Sequence, residues 1–159
     1  MKVKEIRYER LFSLPHYNNE RIGYLVELDE NDDPDKVLGE LFFKMSKVKE
    51  AFDKLRELDR EIEEIKERIE RLRNQIIYEK ENLVLLKRRL EREEKATRKA
   101  CLMEDIERLQ TEIEKNTEKL EKLEEKQTKL LELYQKARDL LKDGKFKEVL
   151  RISWKKEEE

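Results

Sequence analysis

The sequence predicts a mainly α-helical chain in which two long helices form an antiparallel coiled-coil hairpin, accompanied by a small N-terminal β-hairpin. Charged residues make up 49% and hydrophobic residues 36% of the chain, a balance typical of long helices that bury only a narrow apolar stripe. Between Pro34 and Gly144, apolar residues recur mostly at steps of three and four, which indicates helix. Residues 2–29 instead alternate with a period of two, which indicates strands.

Residues 1–32 are predicted to form the β-hairpin, with turn chemistry supplied by Pro15, His16, Asn18 and Asn19. An isolated two-stranded hairpin is only marginally stable in water, so we expect another element to cover its apolar face. That face consists of Ile6, Tyr8, Phe12 and Leu14 in the first half and Ile22, Tyr24, Val26 and Leu28 in the second.

The first long helix is predicted over residues 33–95, because Asp33 suits the N-cap and Pro34 suits the first helical position. Its opening turns carry a wide apolar face, which we expect to cover the β-hairpin. From Phe52 onward the pattern narrows to a coiled-coil seam with charged flanks. The wide face consists of Val37, Leu38, Leu41, Phe42, Met45 and Val48.

The second long helix is predicted over residues 102–143, with the hairpin tip at residues 96–101. Its seam is out of phase with the first seam, and the stretch Glu91–Lys99 between them has Ala96 as its one apolar residue. This phase break and polar gap predict a reversal of the chain. The alternative is one continuous helix with a stutter, which the absence of glycine and proline from the proposed turn favours.

Residues 144–159 form a tail with two interpretations. Gly144 is a natural residue to follow the end of the second helix. Four apolar residues beyond it share one parity, which favours a third strand joined to the β-hairpin, and a short helix is the alternative. The four apolar residues are Phe146, Leu150, Ile152 and Trp154. The segment after them, Lys155–Glu159, is expected to be a solvated charge run. Together the five segments are predicted to form one structural unit.

The sequence offers no catalytic constellation, and we expect no catalytic residues, no metal and no cofactor. Gly23, Gly39 and Gly144 are too far apart to build a phosphate-cradling loop. His16 lies in a turn, where a solvated polar residue is the ordinary interpretation. Cys101 is the one cysteine, so neither a zinc hook nor an internal disulfide is available. The chain is therefore expected to be non-enzymatic.

Basic residues cluster at the predicted tip, where seven cations face three carboxylates and give a local charge of +4 in a chain of net charge −2. Such a cluster predicts a nucleic-acid-binding site that contacts phosphates. The alternative interpretation is a solvated turn whose cations complement a helix C-terminus. The seven residues are Lys87, Arg88, Arg89, Arg92, Lys95, Arg98 and Lys99.

The β-hairpin is a second candidate contact for nucleic acid, because it combines arginines with the aromatic residues Tyr8, Phe12, Tyr17 and Tyr24. That mixture can stack single-stranded bases. Residues 1–29 nevertheless balance acidic and basic side chains, so core packing is the favoured explanation for these aromatic residues.

The seam of the second helix is the candidate surface for self-association. Polar residues at seam positions fix register and partner at some cost in stability. Because a two-helix hairpin buries one face only, a spare apolar strip predicts a homodimer. The candidate residues are Asn116, Leu120, Leu123, Gln127 and Leu130.

The opening segment resembles a pattern in small uncharacterised proteins of phages and archaeal viruses. The resemblance covers about the first 45 residues; Ser13, Pro15 and His16 depart from the pattern, and the coiled coil lies outside it. It implies a viral or mobile-element origin and no defined activity. The matching residues are Tyr8, Arg10, Phe12, Leu14, Tyr17, Glu20, Arg21, Ile22, Asp33 and Pro34.

These observations predict a non-enzymatic structural or adaptor protein that self-associates and contacts other proteins. Nucleic-acid binding by the tip or the β-hairpin is the alternative, and a chaperone-like holder is a second one. The lack of a signal segment and of a long apolar run predicts a soluble, cytoplasmic protein without membrane contact, in the host cell if it is viral. High Glu and Lys content fits a thermophilic source.

Overall fold

The computed structural model of the chain describes residues 2–154, apart from the side chain of Tyr17. The described chain is mainly helical, with two long packed helices and an antiparallel β-hairpin, which confirms the predicted fold class. The predicted charged tail, Lys155–Glu159, lies outside the described residues. The elements are β1 (Glu5–Ser13), a 3-10 turn (Pro15–Tyr17), β2 (Asn19–Glu27), α1 (Pro34–Arg92), α2 (Ala96–Lys142) and α3 (Phe146–Arg151).

The chain divides into two compact units. The mixed unit comprises the described residues of Met1–Glu61 and Leu130–Glu159, and therefore holds both strands, α3 and one part of each long helix. The helical unit is Ile62–Lys129 and contains the reversal between the long helices. The prediction that the chain forms one structural unit stays a prediction.

In the mixed unit, β1 and β2 pair antiparallel, with Tyr8 opposite Tyr24. The turn between the strands is tied to α1 at two points. The Nε2 atom of His16 lies 3.3 Å from the Oδ1 atom of Asp59, and Arg56 donates a hydrogen bond of 3.2 Å to the carbonyl oxygen of Ser13. The loop end of the hairpin is therefore held by side chains of the helix.

The apolar face of the β-hairpin packs against α1, as predicted. The ring of Phe12 stacks on the ring of Phe52 with 4.6 Å between centroids, and Tyr8 meets Phe42 edge to face at 5.0 Å. Burial of the rings of Phe12 and Phe52 supplies the stabilisation that a two-stranded sheet lacks by itself. The buried core consists of Phe12, Met45, Val48, Ala51, Phe52, Leu55, Ala137, Leu141, Val149 and Ile152.

Both predicted caps of the long helices are confirmed. The side chain of Asp33 accepts a hydrogen bond of 3.1 Å from the backbone of Asp35 at the start of α1. At the end of α2, Gly144 adopts a φ of +72°, and its N–H donates a hydrogen bond to the carbonyl oxygen of Leu141. Lys145 completes this Schellman motif through a bond of 2.9 Å to the carbonyl oxygen of Leu140.

The favoured third strand was wrong, because residues Phe146–Arg151 form the helix α3. A strand would point Val149 away from the face shared by Phe146 and Leu150, whereas a helix turns all three toward the core. Val149 is 1% exposed in this arrangement. Lys54 of α1 donates a hydrogen bond of 2.7 Å to the carbonyl oxygen of Leu150 and lies over the ring of Trp154.

The reversal between the long helices is confirmed, and the alternative of one continuous helix is wrong. The break lies at residues 93–95, between the end of α1 at Arg92 and the start of α2 at Ala96. The assignment of residues 96–101 to the tip was therefore wrong, since these residues form the first turns of α2. The position matters because it places two of the tip cations, Arg98 and Lys99, in the first turn of a helix.

We expect Phe52→Ala to lower the free energy of unfolding of the mixed unit by about 3–5 kcal/mol, because it removes a fully buried ring from the core. Phe43→Ala is the matched control, since Phe43 lies on the same helix but is 66% exposed. It should change stability by about 0.5 kcal/mol or less. Urea denaturation followed by tryptophan fluorescence measures both, and equal losses would contradict the assigned core.

Candidate functional site

The tip reverses the chain without glycine or proline because a side chain closes the turn. The Oε1 atom of Glu93 accepts a hydrogen bond of 3.1 Å from the backbone N–H of Lys95. The carbonyl oxygen of Lys95 then accepts the first helical bond, 3.0 Å long, from Lys99. Glu93 thus satisfies a backbone donor that the start of α2 leaves open.

All seven predicted tip cations are exposed. Among residues 2–154, none of their side chains forms an ion pair. Elsewhere on the long helices cations form ion pairs with carboxylates. Lys122 pairs with Glu118 and Lys47 pairs with Glu50, each with 3.3 Å between the charged atoms. The structure therefore brings the basic residues together at one end of the helical unit and leaves a local charge of +4.

Three of the arginines line one open cleft of about 590 Å³ in the helical unit. Residues from both helix ends line this cleft, because Arg89 and Arg92 belong to α1 whereas Arg98 belongs to α2. Glu93 is the carboxylate among its lining residues. The other lining residues are Thr97, Cys101 and Leu102, and the thiol of Cys101 is exposed.

The predicted polar seam residue Asn116 is buried in the helical unit, at 7% exposure, and bonded to α1. Its amide donates hydrogen bonds of 2.9 and 3.1 Å to the two carboxylate oxygens of Glu79, which is itself 6% exposed. Gln75 donates a third bond of 2.9 Å to the same carboxylate. A buried carboxylate needs such donors, so this cluster fixes how the two helices align.

The rest of the predicted seam also faces into the chain. Leu130 is 3% exposed, and Leu120, Leu123 and Gln127 are half-buried. The seam is thus occupied by packing within the chain, because a helical hairpin buries its own apolar stripe. Self-association stays a prediction, and it requires a different surface.

Sequence reasoning missed Glu79 and a patch on the outer side of α1. The signal for Glu79 was present, since the seam skips from Ile76 to Leu83 and residue 79 completes the 3-4 spacing between them. The patch consists of large apolar residues that are 48–64% exposed, namely Ile77, Tyr78, Val84 and Leu85. We call these four residues the outer stripe.

The aromatic residues of the β-hairpin are engaged in packing, as the favoured explanation predicted. Phe12 is 3% exposed, and Tyr8 and Tyr24 pack against the same core. Tyr134 of α2 packs against the same core. The pKa of its hydroxyl is raised, mainly by burial and to a smaller extent by the nearby negative charge of Asp59. The side chain of Tyr17 lies outside the described residues.

The described residues contain no group of three or more His, Cys, Asp and Glu side chains that could hold a metal ion. Within the same residues, neither long helix contains an apolar stretch that could cross a lipid bilayer.

Comparison of the chain with protein-family models, with curated proteins and with solved structures found no match. The resemblance of the opening segment to small phage and archaeal-virus proteins stays a prediction.

We expect Asn116→Leu to lower the free energy of unfolding by about 1–3 kcal/mol, because the carboxylate of Glu79 loses two donors while it stays buried. The double change Glu79→Leu with Asn116→Leu should be close to neutral or stabilising, since an apolar pair replaces a desolvated polar one. Thermal denaturation monitored by circular dichroism measures both variants.

Lys119→Leu is the control, at an exposed position on the same helix, and it should change stability by about 0.5 kcal/mol or less. Additive losses in the double variant would contradict a direct interaction between Glu79 and Asn116.

Proposed function

We propose that the chain is a non-enzymatic adaptor that self-associates through the outer stripe. The observation that carries the proposal is the exposure of these four apolar residues in a chain whose seam is already occupied. Apolar residues scattered singly over a surface need no explanation, but two exposed apolar pairs on one helix face, on either side of Glu81, are typical of a contact site.

The spacing of the outer stripe suits packing against another helix. Ile77 and Val84 are seven residues apart, as are Tyr78 and Leu85, so the pairs lie along one side of α1. At about 100° per residue, that side is opposite the seam that carries Ile76. A partner helix can therefore pack there without disturbing the contacts inside the chain.

A second copy of the chain is the occupant that the charges favour. A two-fold pairing of α1 with itself in antiparallel orientation places Ile77 opposite Leu85 and Tyr78 opposite Val84. The same alignment brings Glu70 toward Arg92 of the second copy and Arg71 toward Glu91, and it also brings Arg73 toward Arg89. Opposite-charge pairs on the flanks thus outnumber the like-charge pair, and this balance favours a symmetric dimer.

The size of the stripe sets the strength of this contact. A stable interface buries about 800 Å² on each partner, and four partly exposed side chains provide only a part of that area. The alignment also brings Glu81 close to Glu81 of the second copy, and like charges across an interface oppose binding. We therefore expect a reversible dimer that dissociates on dilution.

Leu85→Glu should weaken the dimer by about tenfold or more, because it places a charge in the apolar contact twice per dimer. Leu131→Glu is the matched control, since Leu131 is 48% exposed against 52% for Leu85 and lies on the other long helix. Sedimentation velocity over a concentration series up to hundreds of micromolar measures both. A monomeric parent chain, or equal effects of the two changes, would contradict the proposal.

Glu81→Gln should strengthen the dimer, because it removes the like charges that the antiparallel alignment brings together. The same concentration series measures the gain, and it should shrink as salt screens the charges of the parent chain. An unchanged dissociation constant would exclude the antiparallel alignment centred on Glu81. Retained dimerisation together with sensitivity to Leu85→Glu would then point to a different alignment of the same stripe.

A further inference from the structure

We propose that the basic tip, which we define as residues 87–99 and which comprises the reversal and the helix ends on either side of it, is a site for the phosphate backbone of nucleic acid that it contacts without reading base sequence. This site goes beyond self-association and uses residues other than the outer stripe. The tip is the part of the helical unit where seven exposed cations form no ion pair within residues 2–154. Phosphates that bind there would release counterions and supply the missing negative charge.

Because of the position of the reversal, helix capping explains only part of this cluster. Arg89 and Arg92 lie in the last turn of α1, where cations complement the negative end of the helix dipole. Arg98 and Lys99 lie in the first turn of α2, which carries no acidic residue. Cations at that end oppose the dipole, so they raise the local positive potential instead of compensating it.

The spacing of the cations adds to this effect. Arg88 and Arg92 are four residues apart on α1, and Lys95 and Lys99 are four apart across the start of α2, so like charges lie one turn from each other. Such pairs destabilise an isolated helix. A polyanion that binds both helix ends would relieve the repulsion within each pair.

The cleft between the helix ends can accommodate the phosphate groups of a bound nucleic acid. Arg89, Arg92 and Arg98 line it, and a guanidinium can hold a phosphate through two parallel hydrogen bonds. The hydroxyl of Thr97 is a further donor among the lining residues. Of the described residues that line the cleft, none is aromatic and none carries a side-chain amide. The site can therefore hold the backbone, whereas stacking on a base or bidentate reading of adenine needs other groups.

Nucleic acid fits the tip better than an anionic membrane does. Basic helices that bind bilayers also insert large apolar residues beside their cations. Within residues 87–99 the apolar residues are Leu90, which is half-buried, and Ala96, and the nearest large exposed apolar side chain on α2 is Met103. The tip therefore provides little to insert. A polyanion bound from water needs only the charges.

The variant Arg98→Gln with Lys99→Gln tests the site, and it leaves Arg89 and Arg92 intact because both residues flank the outer stripe. Lys115→Gln with Lys119→Gln is the matched control, with the same loss of charge at exposed positions of the helical unit outside the tip. Fluorescence anisotropy with single- and double-stranded DNA of random sequence, over a salt series, measures affinity. Far-ultraviolet circular dichroism checks that each variant keeps its helices.

We expect the parent chain and the control to bind DNA with an affinity that falls steeply with salt. In the tip variant, affinity should fall about tenfold or more at low salt, and the salt slope for double-stranded DNA should drop by about 0.9 for each lost phosphate contact. Equal weakening of the tip variant and the control would overturn the site, because it would mean a response to net charge alone. Absence of binding at low salt would also overturn it.

The one cysteine of the chain offers a second measurement at the same place, since Cys101 is exposed and lines the cleft. Bound DNA should slow alkylation of Cys101 by a maleimide several-fold in the parent chain and in the control, and much less in the tip variant at the same DNA concentration. DNA binding that leaves Cys101 equally reactive would overturn the tip as the site. Binding to vesicles of phosphatidylserine and phosphatidylcholine, without binding to DNA, would assign the cations to a membrane instead.

Discussion

A helix with a single narrow apolar stripe is unstable in water until that stripe is covered, and each long helix of this chain carries one. The reversal at residues 93–95 lets the two stripes of one chain cover each other. Glu79 and Asn116 then decide the alignment within the helical unit, because a buried carboxylate and a buried amide both need partners. Sliding one helix along the other would leave both groups desolvated and unbonded, so the polar pair selects one register among several that the leucines alone would allow.

The mixed unit meets the same requirement in a different way. Two strands cannot bury a face by themselves, and Phe12 makes the hairpin part of a larger core by stacking on Phe52. The last turns of α2 and the helix α3 complete that core through Ala137, Leu141 and Val149. The unit therefore depends on segments that are far apart in the sequence, and the Gly144 turn is what directs α3 onto its core.

Use of the seam inside the chain leaves the outer surfaces available for function. One is apolar and lies on α1 opposite the seam, and the other is basic and lies where the two helix ends meet. The two differ in the physics of binding. The proposed contact through the outer stripe depends mainly on buried area, and salt both screens its opposite-charge pairs and relieves its like-charge pairs, whereas the proposed contact through the tip depends on charge alone and should weaken steeply with salt. A salt series therefore separates one contribution from the other.

The sequence by itself determined the period of each element, the caps at Asp33 and Gly144, the need to cover the β-hairpin, and the cluster of tip cations. These are local properties, since they follow from spacing, backbone conformation and charge along a short stretch. Only the tertiary structure decided that Phe146–Arg151 is helical, that Asn116 pairs with Glu79, and that Arg98 and Lys99 sit at the positive end of a helix. Each of these depends on which segment packs against the residue concerned. A short apolar run adopts the conformation that places its side chains in the available core, and the role of a polar seam residue depends on the group that it hydrogen-bonds.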